Sequence, residues 1–243
     1  MVRIIPSSVF VKDPVDVWNR EHTIGNAELA ARLGSLMVFD KRGDVLFCDD
    51  YESATAKYSN TDGTVARSVS RARNGNFSLK CVTGATSGSR SGPYYSHSDF
   101  HTDTKMGIQT TFATADDVWG IILAISYYVS TAHYIWSIRL KSDGTVQYGD
   151  STGNWQDVTP TMEYEQDDYN FATVKVVGDL STKKYVRAVL FNQEYDLSGF
   201  DCYSTVVPST NPYLYTSFAI ETLENVAKTA YFDSYVLTEN EPA

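Results

Sequence analysis

Two short stretches at the two ends of the C-terminal four-fifths of the chain decide its fold: residues 45–53 have the sequence VLFCDDYES, and residues 230–237 have the sequence AYFDSYVL. Each stretch is an apolar run of strand length that also carries acidic residues. Between them, alternating segments are separated by turn residues every roughly 8–12 positions, a spacing typical of a sandwich or barrel. The sequence therefore predicts one all-β domain whose first and last strands lie side by side.

The segments between these two stretches supply the remaining strands. Clean alternation of apolar and polar residues marks residues 77–82, and residues 106–112 predict a further strand. Two long apolar segments cover residues 121–129 and 134–140 and predict long strands. Residues 84–98 are rich in Ser and Gly, and we expect them to form an exposed loop.

The composition excludes several classes of function. The formal net charge is −10 over 243 residues, which disfavours binding to nucleic acid or to anionic lipid because both need basic surfaces. No apolar window is long enough to cross a membrane. The three cysteines are too widely spaced for a zinc or Cys-x-x-Cys motif. We expect Cys48 and Cys81 to be buried free thiols, with one disulfide as the alternative.

Residues 1–44 differ from the rest of the chain. Pro6 and Pro14 punctuate a stretch with the character of an extended arm. Residues 26–34 predict one short helix, which Asn26 can cap and Gly34 can end. A helix of about two turns does not persist alone, so it must pack on the sandwich or on a partner. We therefore divide the chain into a docking arm at 1–44 and a β-sandwich at 45–243.

Four stretches together resemble a known fold family. They are residues 48–53 with 76–80, residues 142–149 leading to Trp155, residues 169–199, and the closing residues 231–236. Their strand rhythm and turn chemistry are similar to concanavalin A-like, laminin-G-like jelly rolls, which serve as carbohydrate-binding modules and as virion proteins. The resemblance covers residues 45–238 and implies an antiparallel jelly-roll β-sandwich.

The resemblance does not extend to a catalytic set. Hydrolases of this family carry two glutamates that flank an aspartate on one strand. The nearest acidic cluster here, residues 163–168 (EYEQDD), has a different order and follows Pro160 in a segment of loop character. His97 and His101 are four residues apart in a polar stretch and could share a metal ion, but such a pair is usually polar surface. We therefore predict that the protein is not an enzyme.

The resemblance also implies a structural calcium ion where the first and last strands join. The positions that correspond are Asp50, Glu52 and Asp233, with Asn76 as a fourth ligand. Clustered carboxylate and amide oxygens suit calcium, which takes six to eight oxygen ligands. The alternative is that these acidic residues are simply outward-facing residues at a strand end.

Aromatic side chains are the other candidates for a binding site, because flat exposed rings stack on the faces of sugars. The chain has 17 Tyr, 11 Phe and 4 Trp. The sequence does not fix which sheet face each ring occupies, and we expect most of them, Trp136 above all, in the core. The candidates are Tyr94, Tyr95, Tyr127, Tyr128, Trp136, Tyr148 and Trp155.

The arm decides the function that we predict from sequence. The first ten residues have no secretory-signal pattern, and an arm with a short helix suits docking on a larger particle. We predict a non-enzymatic virion protein of a bacteriophage, a capsid decoration or surface protein. Its partners would be the capsid protein or neighbouring virion subunits, and a homo-oligomer, most simply a trimer, suits that role.

Two other functions stay open on the same fold. One is a lectin-like carbohydrate-binding module that is extracellular, binds glycans and is stabilised by calcium. The other is a glycoside hydrolase or lyase.

Overall fold

A computed structural model describes residues 40, 42–60, 62–114, 118–158, 170–191 and 193–243. The predicted helix at 26–34, the rest of the arm up to residue 39 and the acidic cluster at 163–168 lie outside the described residues. Within the described ranges, no helix is long and apolar enough to cross a membrane.

The described chain forms two antiparallel sheets that pack face to face. The strands in chain order are β1 (Asp44–Asp49), β2 (Ser59–Asn60), β3 (Thr64–Ser68), β4 (Ser78–Val82), β5 (Arg90–Ser91), β6 (Pro93–His97), β7 (Lys105–Thr114), β8 (Gly120–Lys141), β9 (Val146–Gly149), β10 (Trp155–Val158), β11 (Ala172–Asp179), β12 (Lys184–Leu190), β13 (Gln193–Asp196), β14 (Tyr203–Glu221) and β15 (Thr229–Glu239). Sheet A has the strand order β13-β12-β11-β7-β15-β4-β3, and β1 also pairs with β15. Sheet B has the order β10-β9-β8-β14-β6-β2, and β5 also pairs with β14.

The predicted seam between the first and last strands is confirmed. Strand β1 pairs antiparallel with β15, so that Cys48 lies opposite Val236 and Asp49 lies opposite Tyr235. Strand β15 also pairs with β7 and β4. The first and last strands of the sandwich are therefore joined through main-chain hydrogen bonds, as the sequences of residues 45–53 and 230–237 predict.

The long element β8 is a hairpin whose two halves lie side by side. Trp119 O accepts a hydrogen bond from Ser142 N at 3.2 Å, so the two ends of the strand lie together. The rings of Tyr128 and His133 stack with centroids 3.8 Å apart. Ser130 has a φ of 54°, a left-handed conformation that places a tight turn there. The predicted strands 121–129 and 134–140 are therefore the two arms of a hairpin.

Strand β14 bends around the tip of this hairpin. Its first residues pair with the second arm of β8, with Val206 opposite Ala132. Its later residues pair with the first arm, with Tyr213 opposite Tyr128 and Phe218 opposite Leu123. Irregular register between these parts marks the bend.

The space between the sheets is filled by apolar side chains from both sheets. Each large side chain that is fully buried contributes about 1.5–3 kcal/mol. Tyr185 of sheet A accepts a hydrogen bond from Ser137 N at 2.8 Å and donates to the main chain of sheet B, which ties the two sheets together. Large side chains buried in this core include Trp136, Tyr127, Phe218, Phe112, Phe232, Tyr235, Leu79 and Met106.

The cysteines are free thiols as expected, although Cys48 is less buried than the sequence predicts. The structure has three free thiols, with Cys81 and Cys202 buried and Cys48 half-buried. Burial raises the pKa of Cys202 to about 12. The alternative of one disulfide is not realised, because each thiol is free.

The prediction that residues 84–98 form one exposed loop is wrong in its second half. Residues 93–97 form β6, which pairs with β14 and with the short β2. Tyr95 is 2% exposed and faces the core, where its ring stacks on Tyr235 at 4.3 Å. Pro93 begins the strand, a position at which its missing N–H is tolerated. Packing of Tyr95 therefore overrides the turn-rich local sequence.

The outer face of sheet A is closed by paired charges. Lys175 is 1% exposed, and its Nζ lies 2.5 Å from Glu241 Oε1 and 3.2 Å from Asp40 Oδ2. Arg187 donates to the other oxygen of Glu241 and to Pro242 O. Pairing of this kind is what allows charged groups to be buried. The residues before β1 and after β15 thus lie over this face.

Candidate glycan-binding face on sheet B

Small side chains cross the outer face of sheet B, the face turned away from the core. Ser217 of β14 pairs with Ala124 of β8 on one side and with Tyr94 of β6 on the other. The hairpin register of β8 places Ser137 opposite Ala124. All three small side chains are half-buried, whereas their chain neighbours, such as Ile125, point into the core.

The row continues onto the last two strands of the sheet. Gly149 lies beside Ser137, since a methyl group added to the glycine would come within 2.6 Å of Ser137 Oγ. Gly149 in turn pairs with Trp155 of β10. A ring therefore stands at each end of the row, Trp155 on β10 and Tyr94 on β6. We call the four small residues between them the floor: Gly149, Ser137, Ala124 and Ser217.

The Trp155 end is held by a buried arginine. The guanidinium of Arg139 lies 4.4 Å from the centre of the Trp155 ring and 3.9 Å from the centre of the Trp119 ring. Its Nη1 lies 3.2 Å from Glu221 Oε2, and its Nε donates to Gln147 Oε1 at 2.8 Å. Burial lowers the pKa of Arg139, yet an arginine stays charged in a protein. Cation–π contacts and the ion pair thus fix this end of the floor.

The Tyr94 end continues into a cluster of aromatic rings. Tyr94 meets Tyr215 edge to face at 5.8 Å, and Tyr215 meets Tyr213 at 5.1 Å. Tyr213 stacks on Tyr128 at 4.3 Å, and Tyr128 stacks on His133. All five rings are half-buried on the outer face. They present ring surface and hydroxyl groups beside the floor.

This aromatic cluster is uncharged near neutral pH. Burial lowers the pKa of His133 below its ordinary value, so the imidazole is neutral. Burial also raises the pKa values of Tyr128 and Tyr213. Within the described residues, Nε2 of His133 has no hydrogen-bond partner. The cluster therefore offers stacking surfaces and hydrogen-bonding groups without a charge.

The carboxylates near the floor are engaged by neighbouring side chains. Glu221 is 5% exposed, and its oxygens accept hydrogen bonds from Arg90 and Arg139. Asp157 accepts a hydrogen bond from Gln147 Nε2 at 2.6 Å. A catalytic carboxyl pair needs two groups aimed at one bond. Among the described residues, these two carboxylates have structural roles instead.

Comparisons with known proteins identify the fold. No family model and no curated protein matches the chain. Among solved structures, lectin II from Ulex europaeus matches with a TM-score of 0.53 at 10% identity, over 82% of this chain and 99% of the lectin. The endo-β-1,4-glucuronan lyase of Trichoderma reesei matches with a TM-score of 0.51 at 10% identity, over 80% and 95% of the two chains.

The chain has a concanavalin A-like jelly-roll fold. A carbohydrate esterase from the Shiga toxin-encoding bacteriophage phi24B shares this fold, with a TM-score of 0.50 at 12% identity over 82% of this chain and all of the esterase. The predicted fold class is thus confirmed. The neighbours include a lectin and two enzymes, so the concanavalin A-like fold alone does not decide between binding and catalysis.

The structure divides the aromatic candidates between two faces. Tyr94, Tyr128 and Trp155 lie on the outer face of sheet B, at or beside the floor. Sequence reasoning missed the Tyr213 and Tyr215 rings, which only the pairing of β14 brings beside Tyr128 and Tyr94. The remaining candidates point into the core: Tyr95, Tyr127, Trp136 and Tyr148.

The predicted calcium ligands bind main-chain groups in the structure. Asp233 is buried, and its Oδ2 accepts hydrogen bonds from Arg73 N and Asn74 N at 2.7 and 3.0 Å. Glu52 Oε1 accepts from Asn76 N at 2.8 Å and from the next residue. Asp50 Oδ1 accepts from Glu52 N at 3.1 Å. Asp233 and Glu52 therefore hold the loop between β3 and β4 against the seam, whereas Asp50 stabilises the turn that follows β1.

No group of three or more His, Cys, Asp or Glu residues is placed to hold a metal ion in the described ranges. Calcium at the seam accordingly stays a prediction. If calcium binds there, added calcium should raise the unfolding temperature of the protein, and EDTA should reverse the rise. The Asp50→Asn variant should show no rise.

The two histidines of the polar stretch lie apart. His97 Nε2 contacts Thr216 Oγ1 at 3.0 Å inside the sandwich, where burial lowers the pKa of the histidine to about 4. His101 bonds Glu239 Oε2 at 2.7 Å on the surface. The two imidazoles thus have separate partners rather than a shared one.

Proposed function

We propose that the protein is a carbohydrate-binding module that binds glycan on the outer face of sheet B. The observation that carries the proposal is the floor of small residues with an aromatic ring at each end. A sugar ring has an apolar face that stacks on aromatic side chains, and its hydroxyls need hydrogen-bonding groups nearby. The flanking rings, the floor and the tyrosine hydroxyls supply both.

The fold neighbours support this proposal at the level of class. A lectin, a glucuronan lyase and a carbohydrate esterase share the sandwich. We infer binding without turnover, because Glu221 and Asp157 are held by neighbouring side chains. Bond cleavage in a polysaccharide that the protein binds would contradict this part of the proposal.

A pair of matched substitutions tests the binding face. Ala124→Trp fills the floor with a large side chain and leaves the core untouched. Ala66→Trp places the same side chain on β3, at the exposed edge of sheet A. In a screen of immobilised polysaccharides, we expect Ala66→Trp to bind as the native protein does and Ala124→Trp to lose binding. Equal binding by both variants would overturn the proposed site.

Display on a phage virion is a second proposal, at the level of the whole chain. It rests on the predicted arm and on the phage origin of one fold neighbour. The structure sharpens its test, because Asp40 pairs with Lys175 of the sandwich. A deletion should therefore end at residue 39. We expect this deletion to keep glycan binding and to abolish co-purification with a particle; retained co-purification would refute the docking role.

Oligomeric state belongs to the same proposal. A trimer, or another homo-oligomer, stays a prediction until the mass in solution is measured by light scattering.

A further inference from the structure

We propose that the ligand is an internal stretch of an extended glycan that lies across the strands and contacts Trp155 and Tyr94 together. The proposal deepens the binding function assigned to this face and rests on it. It follows from the length of the floor, from the aromatic ring at each end of it, and from the position of both ends at the edges of the sheet.

The span follows from the strand pairing. Trp155, the four floor residues and Tyr94 occupy six neighbouring strand segments, with the two arms of β8 counted separately. Five strand spacings of about 4.8 Å separate the two rings by about 24 Å along the sheet. This span exceeds the length of a disaccharide, so only a longer chain touches both rings at once.

The side chains beside the floor leave this path clear. Arg139 is 7% exposed, and it lies between the rings of Trp119 and Trp155 rather than across the floor. On the other side, Ser126 pairs with Tyr215, which leans edge to face on Tyr94. The floor itself therefore consists of small groups along its length, with Arg139 and Trp119 beside it on one side and the tyrosine rings beside it on the other.

Both ends of the path open toward the edges of the sheet. Strand β10, which carries Trp155, is the last strand of sheet B. Beyond Tyr94 lies only the two-residue strand β2, whose Ser59 is exposed. In the described part of the chain, no bulky side chain closes either end of the row. A polysaccharide can thus continue past both rings, which favours recognition of chain interiors over chain ends.

Two rings that hold one chain act as linked binding points, and linkage raises affinity only for ligands long enough to engage both. We expect the affinity for oligosaccharides of one polysaccharide to rise about tenfold between the disaccharide and a chain that spans the floor. Beyond that length the affinity levels off.

The test is calorimetric titration of the intact chain with a disaccharide and with longer oligosaccharides of the polysaccharide that the screen selects. Trp155→Ala and Tyr94→Ala should each remove most of the gain in affinity with oligosaccharide length. Both variants should leave the weak affinity for the disaccharide nearly unchanged. The double variant should lose little more than either single variant. Phe200→Ala removes a ring that is 40% exposed and stacks on Tyr148 away from the row, so it should keep the gain.

The outcomes separate this inference from the proposed function. Equal affinity for short and long oligosaccharides, with loss of binding in Ala124→Trp, overturns the two-ring inference and keeps the binding face. Binding that depends on length but survives both ring substitutions also overturns the inference. Absence of binding to any polysaccharide overturns both. Melting curves of each variant verify that it is folded, and Tyr94→Phe, which keeps the ring, should restore the gain with length.

Discussion

Glu221 shows how one buried carboxylate supports the proposed binding face from its side. Its oxygens accept hydrogen bonds from Arg90 and Arg139, and Arg139 in turn packs on Trp155. Glu221→Gln removes the carboxylate that the buried guanidinium of Arg139 contacts directly. Loss of one partner of a buried pair costs about 3–5 kcal/mol, and we expect a loss of this order in the free energy of unfolding measured with urea.

The matched control for Glu221→Gln is an ion pair at the surface. Lys141 Nζ lies 2.9 Å from Asp143 Oδ2, and the aspartate side chain is 56% exposed. Asp143→Asn should cost less than about 1 kcal/mol, because exposed pairs contribute little. Equal losses in the two variants would show that the Glu221 pair is not protected from solvent.

Asp40 predicts how stability responds to acid. Burial alone would raise its pKa, but hydrogen bonding from Arg42 and the charge of Lys175 hold the pKa at about 2. A carboxyl whose pKa is lower in the folded than in the unfolded chain stabilises the fold above its unfolded pKa and loses that contribution as pH falls through its folded pKa. Asp40→Asn should therefore destabilise the protein at pH 6, and the difference should fade between about pH 4 and pH 2. Urea unfolding at a series of pH values measures it; a difference that does not change with pH would refute the assignment.

At the level of single residues, the sequence predicts some of the site and misses the rest. Trp155, Tyr94 and Tyr128 are recognisable as candidate stacking residues because of their chemistry. Ser137 and Ala124 carry no signal of their own, since small side chains become a floor only when distant strands bring them into one row. The role of Asp233 is ambiguous in the sequence, because a carboxylate beside a loop can bind either a metal ion or main-chain N–H groups.

The hairpin of β8 is the element on which the proposed binding face depends, because its two arms carry Ala124 and Ser137. The turn residue Ser130 has a left-handed φ of 54°, which costs about 1 kcal/mol or more for a residue with a Cβ atom. Ser130→Gly should stabilise the protein by about 0.5–1 kcal/mol, and Ser130→Val should destabilise it. Thermal unfolding of the two variants measures this difference. Equal unfolding temperatures of Ser130→Gly and Ser130→Val would mean that the turn has a different conformation.

Elements with a strong apolar pattern are predictable from the sequence. The connections between them are less predictable. The long apolar segments at 121–129 and 134–140 indicate strands, and both are present. Their connection lacks the Asn-Gly or Asp-Gly pair that normally marks a hairpin, so the sequence gives no sign that they are adjacent. For β6, a turn-rich stretch hides a strand whose Tyr95 and His97 are recruited to the core.

At the scale of the whole molecule, the seam of β1 and β15 joins the first and last strands of the sandwich. Deletion of residues 1–39 leaves these strands and the Asp40–Lys175 pair in place. We therefore expect the shortened chain to unfold cooperatively with an unfolding temperature close to that of the full chain. Differential scanning calorimetry measures this. A loss of the cooperative transition would show that the arm is part of the folding unit.

The fold of the whole molecule is predictable because the pattern extends over most of the chain. Apolar strands of matching character at residues 45–53 and 230–237 predict the seam, and the structure pairs them. The resemblance to concanavalin A-like jelly rolls likewise depends on many turns and strands rather than on one motif. Function has no such redundancy, because a binding face is set by a few side chains whose grouping depends on the register of β8 and β14.

The central claim is that glycan binds on the outer face of sheet B. The most direct test is to follow the backbone amide signals of the protein by NMR during titration with an oligosaccharide that it binds. The proposed site predicts that the largest changes cluster at Ser137, Ala124 and Ser217 and at the two flanking residues Trp155 and Tyr94. Changes that cluster instead on the strands of sheet A, with the floor unaffected, would contradict it.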